Sequence, residues 1–155
     1  MNHICKESHQ ISNWIKESVF SANASGVVLG LSGGIDSAVV AALCKEAFPD
    51  NTLCLIMPCH SNSKDEEHAR LVAKKLDLEI RKIELDAMYD VFRKQVNSFD
   101  KDSKFILGNV KSRLRMITLY YFAAKNNYLV VGPTNKSELT IGYFTIPMFS
   151  KIANS

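Results

Sequence analysis

"GVVLGLSGGIDSAVVAALCKEAF", residues 26–48, joins two apolar segments through a glycine-rich loop. The first segment, residues 27–31, is a continuous apolar run, typical of a strand buried on both faces of a parallel sheet. The second, residues 38–48, predicts a helix that ends before Pro49. A strand, a glycine-rich turn and a helix N-terminus in this order bring backbone N–H groups and a helix dipole to bear on an anion. The stretch therefore predicts a parallel α/β sheet with a phosphate-binding loop after its first strand.

The rest of the chain repeats this alternation of short apolar runs and amphipathic segments. Further strands are predicted at residues 52–57, 78–85 and 128–132, helices at 3–20, 63–76, 86–96 and 105–125, and a polar loop at 97–104. Alternation of this kind predicts a doubly wound parallel sheet with right-handed crossovers, a Rossmann-like α/β class. We expect one domain over residues 1–155.

Two helices carry more detailed signals. The first predicted helix places these apolar residues on roughly one face: Ile4, Ile11, Trp14, Ile15 and Val19. The third begins with the spacing of a capping box, in which Ser63 is the N-cap and Glu66 lies at N3. We expect Ala69, Val72 and Leu76 of that helix to face the core.

Composition excludes several classes of protein. The 155 residues are 46% hydrophobic and 23% charged, the profile of a globular domain, and no stretch is long enough for a membrane span. The N-terminus lacks the apolar centre of a signal peptide, so we expect a cytoplasmic protein with no membrane partner. A net charge of +3 with scattered basic residues favours no nucleic-acid partner.

Cysteine and histidine spacing does not predict a zinc site. The four cysteines form no C-x-x-C pair: Cys5, Cys44, Cys54 and Cys59. We expect buried or incidental thiols, and His60 and His68 are predicted to be surface histidines.

The glycine-rich loop also fits the G-x-S-x-G pattern of serine hydrolases, with Ser32 as nucleophile. That alternative needs an acid and then a histidine later in the chain. Only His60 and His68 follow Ser32, both after the second predicted strand, and no HGGG-type segment precedes the loop. The serine-hydrolase alternative is therefore disfavoured.

The phosphate-loop alternative fits the same residues better, although two common versions are excluded. No lysine follows the glycines as in a Walker A loop, and no G-x-G-x-x-G pattern is present. Hydroxyls at Ser32 and Ser37 and a carboxylate at Asp36 remain, so phosphate charge is expected to be neutralised by N–H groups, hydroxyls and a divalent cation on Asp36. Asp36 also fits a simple role as an acid stabilising the helix dipole.

Three motifs in order carry a family resemblance. Residues 32–37, SGGIDS, resemble the SGGxDS loop of the ATP pyrophosphatases, and residues 107–123, LGNVKSRLRMITLYYFA, and 135–145, NKSELTIGYFT, resemble the ammonia-dependent NAD synthetases. The resemblance implies an adenine nucleotide alpha hydrolase-like fold. It also implies that ATP, deamido-NAD and ammonia give NAD, AMP and pyrophosphate through an adenylylated intermediate. The resemblance further implies a homodimer whose main interface is the predicted helix at residues 105–125.

The resemblance also implies roles for matching residues. ATP is expected at Gly30, Leu31, Ser32, Gly33, Gly34, Ile35, Asp36 and Ser37. It puts Mg²⁺ on Asp36 and Glu138 and deamido-NAD at Arg113. If the first and fourth strands are neighbours, Asp36 and Glu138 both follow a strand's carboxyl end, where ligands of such sheets bind.

Other roles for the same residues remain open. Glu138 also fits a helix-capping acid, and Arg113 or Arg115 a surface ion pair. Four apolar residues of the long helix are expected to pack in the core or a dimer interface: Leu114, Ile117, Tyr121 and Phe122.

The chain departs from the family pattern in two places. Pro133 occupies the position of a threonine that touches ATP, and proline offers neither hydroxyl nor N–H. After Thr145 the family continues with K-Y-G-D, whereas residues 146–155 match nothing in that pattern. We therefore expect a chain lacking the C-terminal part of the family fold. The alternative to an active NAD synthetase is an inactive remnant of such an enzyme that only binds nucleotide or forms a dimer.

Overall fold

The computed structural model describes residues 3–96 and 104–133. The elements in chain order are α1 His3–Ser21, β1 Gly26–Gly30, α2 Ile35–Ala47, β2 Thr52–Ile56, α3 Ser63–Lys75, β3 Glu79–Lys82, α4 Asp86–Val96, α5 Lys104–Asn126 and β4 Tyr128–Val131. The predicted alternation is confirmed, whereas residues 97–103 of the predicted polar loop lie outside the described residues.

All four strands form one parallel sheet in the order β3-β2-β1-β4. Val28 of β1 pairs with Leu53 on one side and with Val130 on the other, so β1 and β4 are neighbours as the site argument required. The side chain of Val28 is fully buried, because β1 is a central strand with helices on both faces of the sheet. The doubly wound α/β class is confirmed.

Each face of the sheet has its own apolar core. One core joins the sheet to α1, α2 and α3 through Val19, Cys44 and Ala69, among others. The other joins it to α4 and α5 through Tyr89 and Phe122. Two covered faces leave the carboxyl ends of the strands as the natural place for a ligand.

The predicted apolar face of α1 is only partly correct. Ile15 and Val19 are buried, but Ile11 and Trp14 are 45% and 57% exposed. The buried stripe instead includes Ser12, whose hydroxyl donates to the carbonyl of Leu43 in α2 at 3.3 Å. Because this serine is satisfied by the neighbouring helix, it takes an inward position that an apolar pattern does not reveal.

The capping box predicted for α3 is wrong. The N-cap is Asn62, whose side-chain oxygen accepts the backbone N–H of Lys64 at 3.1 Å. Glu66 pairs instead with Lys82 at 3.0 Å and with Arg70 at 2.8 Å. The bond from Lys82, followed by that from Arg70, lowers the pKa of the Glu66 carboxyl. An asparagine one residue earlier supplies the cap, which frees Glu66 to join α3 to the end of β3.

Two element boundaries also differ from prediction. Helix α2 begins at Ile35 rather than Ala38, so the phosphate loop is shorter than expected. Strand β3 ends at Lys82, three residues earlier than predicted. Leu85, which follows it, is fully buried, and its N–H donates to the carbonyl of Pro58 at 2.9 Å. Ala69 of α3 is buried, and Val72 and the C-cap residue Leu76 pack against the core as predicted.

The cysteines that are described are buried thiols, as expected. Burial raises the pKa of Cys44 and of Cys54 to about 12, and it also raises the pKa of Cys59.

No group of three or more His, Cys, Asp or Glu side chains suited to a metal occurs within residues 3–96 and 104–133. In the same ranges, no helix is both long and apolar enough to cross a membrane.

Candidate functional site

A cleft of about 570 Å³ opens at the carboxyl ends of β1, β2 and β4. Its walls are the loop after β1, the segments after β2 and β4, the first turn of α3, and inner residues of α1 and α5. Three parallel strands end here because each helical crossover returns the chain to the amino end of the sheet before the next strand begins. The cleft has the position and size of a small-molecule binding site in a fold of this kind.

The loop after β1 is held by its own serine hydroxyls. Ser37 is 3% exposed, and its hydroxyl donates to the carbonyl of Gly34 at 2.8 Å. The same oxygen lies 3.2 Å from the N–H of Ser32 and 3.0 Å from the Ser32 hydroxyl. The N–H of Gly34 in turn donates to the Ser32 hydroxyl at 3.2 Å. These bonds give the loop a defined shape before any ligand binds.

Gly33 is the conformationally special residue of the loop. Its φ of +85° lies in the left-handed region, which side chains rarely adopt. A Cβ there would lie 2.3 Å from the carbonyl oxygen of Asp65 and 3.2 Å from the Cβ of His68. The loop therefore rests directly on the first turns of α3, and only glycine fits at the contact.

The N-terminus of α2 points into this loop without a side-chain cap. Gly34 is the N-cap residue, in extended conformation, and as a glycine it provides no side-chain cap for the N–H groups of the first turn. A helix N-terminus carries partial positive charge and unpaired N–H groups, the usual partners of a phosphate. The geometry supports the phosphate-loop alternative for residues 30–37.

Asp36 lies in the first turn of α2 and is exposed beside the loop. Glu138, its predicted partner on a metal ion, lies outside the described residues. One or two carboxylates with phosphate oxygens and water are the usual set for Mg²⁺, so a carboxylate beside this loop is of the donor type that the ion takes. Asp36 itself is not among the residues that line the cleft, whereas Asp65 and Glu66 of α3 line it. The metal role of Asp36 stays a prediction, as does its alternative role as an acid at the helix dipole.

The two arginines of α5 have different environments. Arg113 is exposed and is not among the residues that line the cleft, whereas Arg115 lines it. Arg115 donates from Nε to the carbonyl of Met57 at 3.1 Å and from Nη2 to the hydroxyl of Ser61 at 3.4 Å. Deamido-NAD binding by Arg113 stays a prediction. The role of Arg115 in the cleft was missed, because the R-x-R spacing does not tell which arginine faces inward.

Pro133 lies at the edge of the cleft next to Gly132, directly after β4. A threonine hydroxyl would offer a hydrogen bond from this strand end, and proline offers none. Thr134 lies outside the described residues. At position 133 itself, only the carbonyl oxygen and the ring carbons are available to a ligand.

The hydrolase alternative finds no support at Ser32. The partners of its hydroxyl within the described ranges are Ser37 and Gly34, neither of which is a base. His60 is exposed and pairs with Asp90 at 2.9 Å, and His68 is exposed on α3. Within the part of the chain that the structure describes, Ser32 forms no pair with a histidine of the kind that activates a nucleophile.

The four apolar residues of α5 divide into two groups. Phe122 is buried and Leu114 is half-buried against the same core, so both are packing residues. Ile117 and Tyr121 are 63% and 60% exposed. Leu114 and Phe122 therefore have the predicted core role. Ile117 and Tyr121 do not pack in the core, and for them the interface role stays a prediction.

Comparison with known proteins gives consistent findings. The NAD synthase family matches residues 7–147 of the chain. The NH₃-dependent NAD⁺ synthetase of Finegoldia magna is 51% identical over 146 residues, which cover 94% of this chain and 59% of that protein.

Solved structures agree with that match. The NH₃-dependent NAD synthetase from Campylobacter jejuni in complex with the nitrate ion superposes with a TM-score of 0.86 at 42% identity, over 94% of this chain and 63% of the other. The NMN synthetase from Francisella tularensis gives a TM-score of 0.87 at 35% identity, over 94% and 60%. The chain thus spans less than two thirds of the length of each of these relatives.

Proposed function

Since the chain belongs to the NAD synthase family, we propose that it carries the ATP site of an ammonia-dependent NAD synthetase, a carbon–nitrogen ligase. The observation that carries the proposal is the serine-bonded loop of residues 30–37 at the mouth of the cleft, beside the uncapped N-terminus of α2. An anion of the size of a triphosphate finds N–H groups and hydroxyls there.

The proposed reaction proceeds in two displacements. A carboxylate oxygen of deamido-NAD attacks the α-phosphorus of ATP, the bond between that phosphorus and the α,β-bridging oxygen breaks, and pyrophosphate leaves with the bonding electron pair. Ammonia then attacks the activated carbonyl carbon and AMP leaves with the bonding electron pair, which gives NAD after loss of a proton. Both steps depend mainly on orientation and on stabilisation of the phosphate charge, which a rigid loop supplies.

The residues of the loop have separate parts in this proposal. N–H groups at the start of α2 bind the phosphates. The Ser37 hydroxyl stabilises the loop through its bond to the Gly34 carbonyl, and the Ser32 hydroxyl is a further hydrogen-bonding group for a phosphate oxygen. Asp36, with Glu138, would hold Mg²⁺. When bound, that ion neutralises charge on the phosphates.

We further propose a cytoplasmic homodimer that uses the exposed face of α5. Ile117 and Tyr121 lie one turn apart on that face and expose apolar surface that a second copy would cover. Arg113 is exposed on the same helix, and we propose it as a ligand of deamido-NAD.

The test is an assay of the chain with ATP, Mg²⁺, deamido-NAD and ammonia that measures pyrophosphate and NAD. Formation of both in equal amounts supports the proposal. Binding of Mg-ATP without release of pyrophosphate favours the alternative of a nucleotide-binding or dimerising remnant. Because one relative is an NMN synthetase, a parallel assay measures formation of NMN. Formation of NMN without NAD would mean that the proposed substrate, deamido-NAD, is wrong. A chain that binds no Mg-ATP contradicts the proposal.

Substitution of Arg113 by lysine is expected to weaken deamido-NAD binding about tenfold and to leave ATP affinity unchanged. Lysine keeps the charge but loses the planar fork that binds phosphate or carboxylate through two bonds. Calorimetric titration with each ligand separately measures the effect. Equal losses for both ligands would indicate a folding defect and would remove Arg113 from the substrate site.

A further inference from the structure

The segment between β2 and α3, residues 57–62, is a wall of the cleft with little regular structure of its own. Met57, Pro58, Ser61 and Asn62 line the cleft, whereas Cys59 and His60 do not. A wall of this kind holds its shape only if neighbouring elements bind its backbone. We call it the wall segment.

Helix α4 binds the wall segment from behind. The backbone N–H of His60 donates to Asp86 at 2.6 Å, and the ring Nε2 lies 2.9 Å from a carboxylate oxygen of Asp90. The ring also packs edge-on against Tyr89, with 5.5 Å between ring centroids. His60 has a φ of 47°, in the left-handed region, so these contacts hold a backbone conformation that costs energy.

Helix α5 binds the same segment at two other points. Arg115 reaches the Met57 carbonyl and the Ser61 hydroxyl, and that hydroxyl also accepts the N–H of Cys59 at 3.2 Å. One planar guanidinium therefore joins both ends of the wall segment. Cys59, between those ends, is completely buried.

We propose that His60 and Arg115 are positioning residues that fix the wall segment, and so set the nucleotide affinity of the cleft. The inference rests on the proposed ATP site. His60 is the informative member, because it is not among the residues that line the cleft and can act on a nucleotide there only through the segment. Ordering the segment before binding removes an entropy cost that the nucleotide would otherwise have to meet.

The first measurement is the affinity of the chain for Mg-ATP. His60→Asn keeps a residue that tolerates positive φ but removes the ring, and it is expected to weaken binding about fivefold. Arg115→Gln is expected to weaken binding about tenfold, with partial recovery in Arg115→Lys, which retains one donor group. Because both residues hold one segment, the double variant is expected to lose less than the product of the single losses.

Matched controls remove comparable surface pairs. His9→Asn breaks the contact of His9 with Glu46 between α1 and α2, and Arg81→Gln breaks a 3.0 Å pair with Glu79 on β3. None of these four residues lines the cleft, and both controls are expected to bind Mg-ATP like the unaltered chain.

The second measurement is amide hydrogen exchange of residues 57–62 without nucleotide. We expect faster exchange there in His60→Asn and Arg115→Gln and no change in the controls. Unchanged affinity in His60→Asn, or loss of affinity in Arg115→Gln with unchanged exchange, overturns the inference, and the latter would mean direct contact between Arg115 and the nucleotide. If the unaltered chain binds no Mg-ATP, the proposed function fails first and this inference with it.

Discussion

An alanine at position 33 is expected to abolish measurable Mg-ATP binding and to lower the free energy of unfolding by about 2 to 4 kcal/mol. Two costs add. A left-handed conformation is unfavourable for any residue with a Cβ, and φ at Gly33 is +85°. The new Cβ would also lie 2.3 Å from the Asp65 carbonyl oxygen, which belongs to helix backbone and cannot rotate away.

Relief of this clash must move the loop or α3, and both form the cleft. A loop displaced from α3 loses the arrangement of Ser32 and Ser37 that supports its N–H groups. Thermal or urea unfolding measures the stability, and calorimetry measures ATP binding. A Gly33→Ala chain with ordinary ATP affinity would contradict the phosphate-loop assignment.

Two other glycines serve as controls. Gly34→Ala places its Cβ 3.4 Å from the Ser32 hydroxyl at a negative φ, and is expected to cost about 1 kcal/mol or less in stability. Gly108→Ala, in α5, meets nothing within 4 Å and is expected to stabilise the chain by about 0.5 to 1 kcal/mol. Opposite signs for the same chemical change would show that local geometry, not glycine removal, causes the loss at position 33.

Asp36→Asn is expected to remove most of the Mg²⁺ dependence of ATP binding and to weaken Mg-ATP affinity about tenfold or more. An amide oxygen carries no charge and binds a hard cation less well than a carboxylate. The side chain is exposed, so the fold should survive with a loss of only about 0.3 to 1 kcal/mol from the helix dipole. Titration of ATP with and without Mg²⁺ is the measurement.

The result also decides between the two roles of Asp36. If stability falls slightly and the Mg²⁺ dependence is unchanged, Asp36 is only an acid at a helix start. Asp65→Asn removes a charge from another first turn that lines the cleft, and it serves as a control for general electrostatics. A loss there as large as at Asp36 would argue against a specific metal contact.

The order of strands and helices was predictable because its signals are local. Buried strands at residues 27–31 and 52–57 are short apolar runs ended by a glycine loop or by Pro58. Their parallel pairing follows from the helices between them, since a crossover returns the chain in the same direction. The neighbouring positions of β1 and β4 were only a condition of the shared site at the sequence level, and the structure establishes them, because the direction of a crossover does not decide which strands pair.

Details of the helices were less predictable where a polar group replaced an apolar one. Ser12 is buried on α1 because Leu43 accepts its hydroxyl hydrogen, and Asn62 rather than Ser63 caps α3. Asn62 and Ser63 are both acceptable N-caps, whereas Ser12 takes an inward position that an apolar pattern assigns to hydrophobic residues. The choice depends on which neighbouring group lies within hydrogen-bond distance.

The sequence by itself determined the sheet class and the family to which the chain belongs, and it predicted the phosphate loop at residues 30–37. A strand, a glycine turn and a helix start are adjacent in the chain, so their pattern is complete within residues 26–48. Only the tertiary structure decided that Arg115 rather than Arg113 lines the cleft and that His60 is bound by α4. It also showed that Gly33 rests on Asp65. These contacts join residues separated by 26 to 58 positions in the chain, and their partners are selected by packing between helices, which no local pattern encodes.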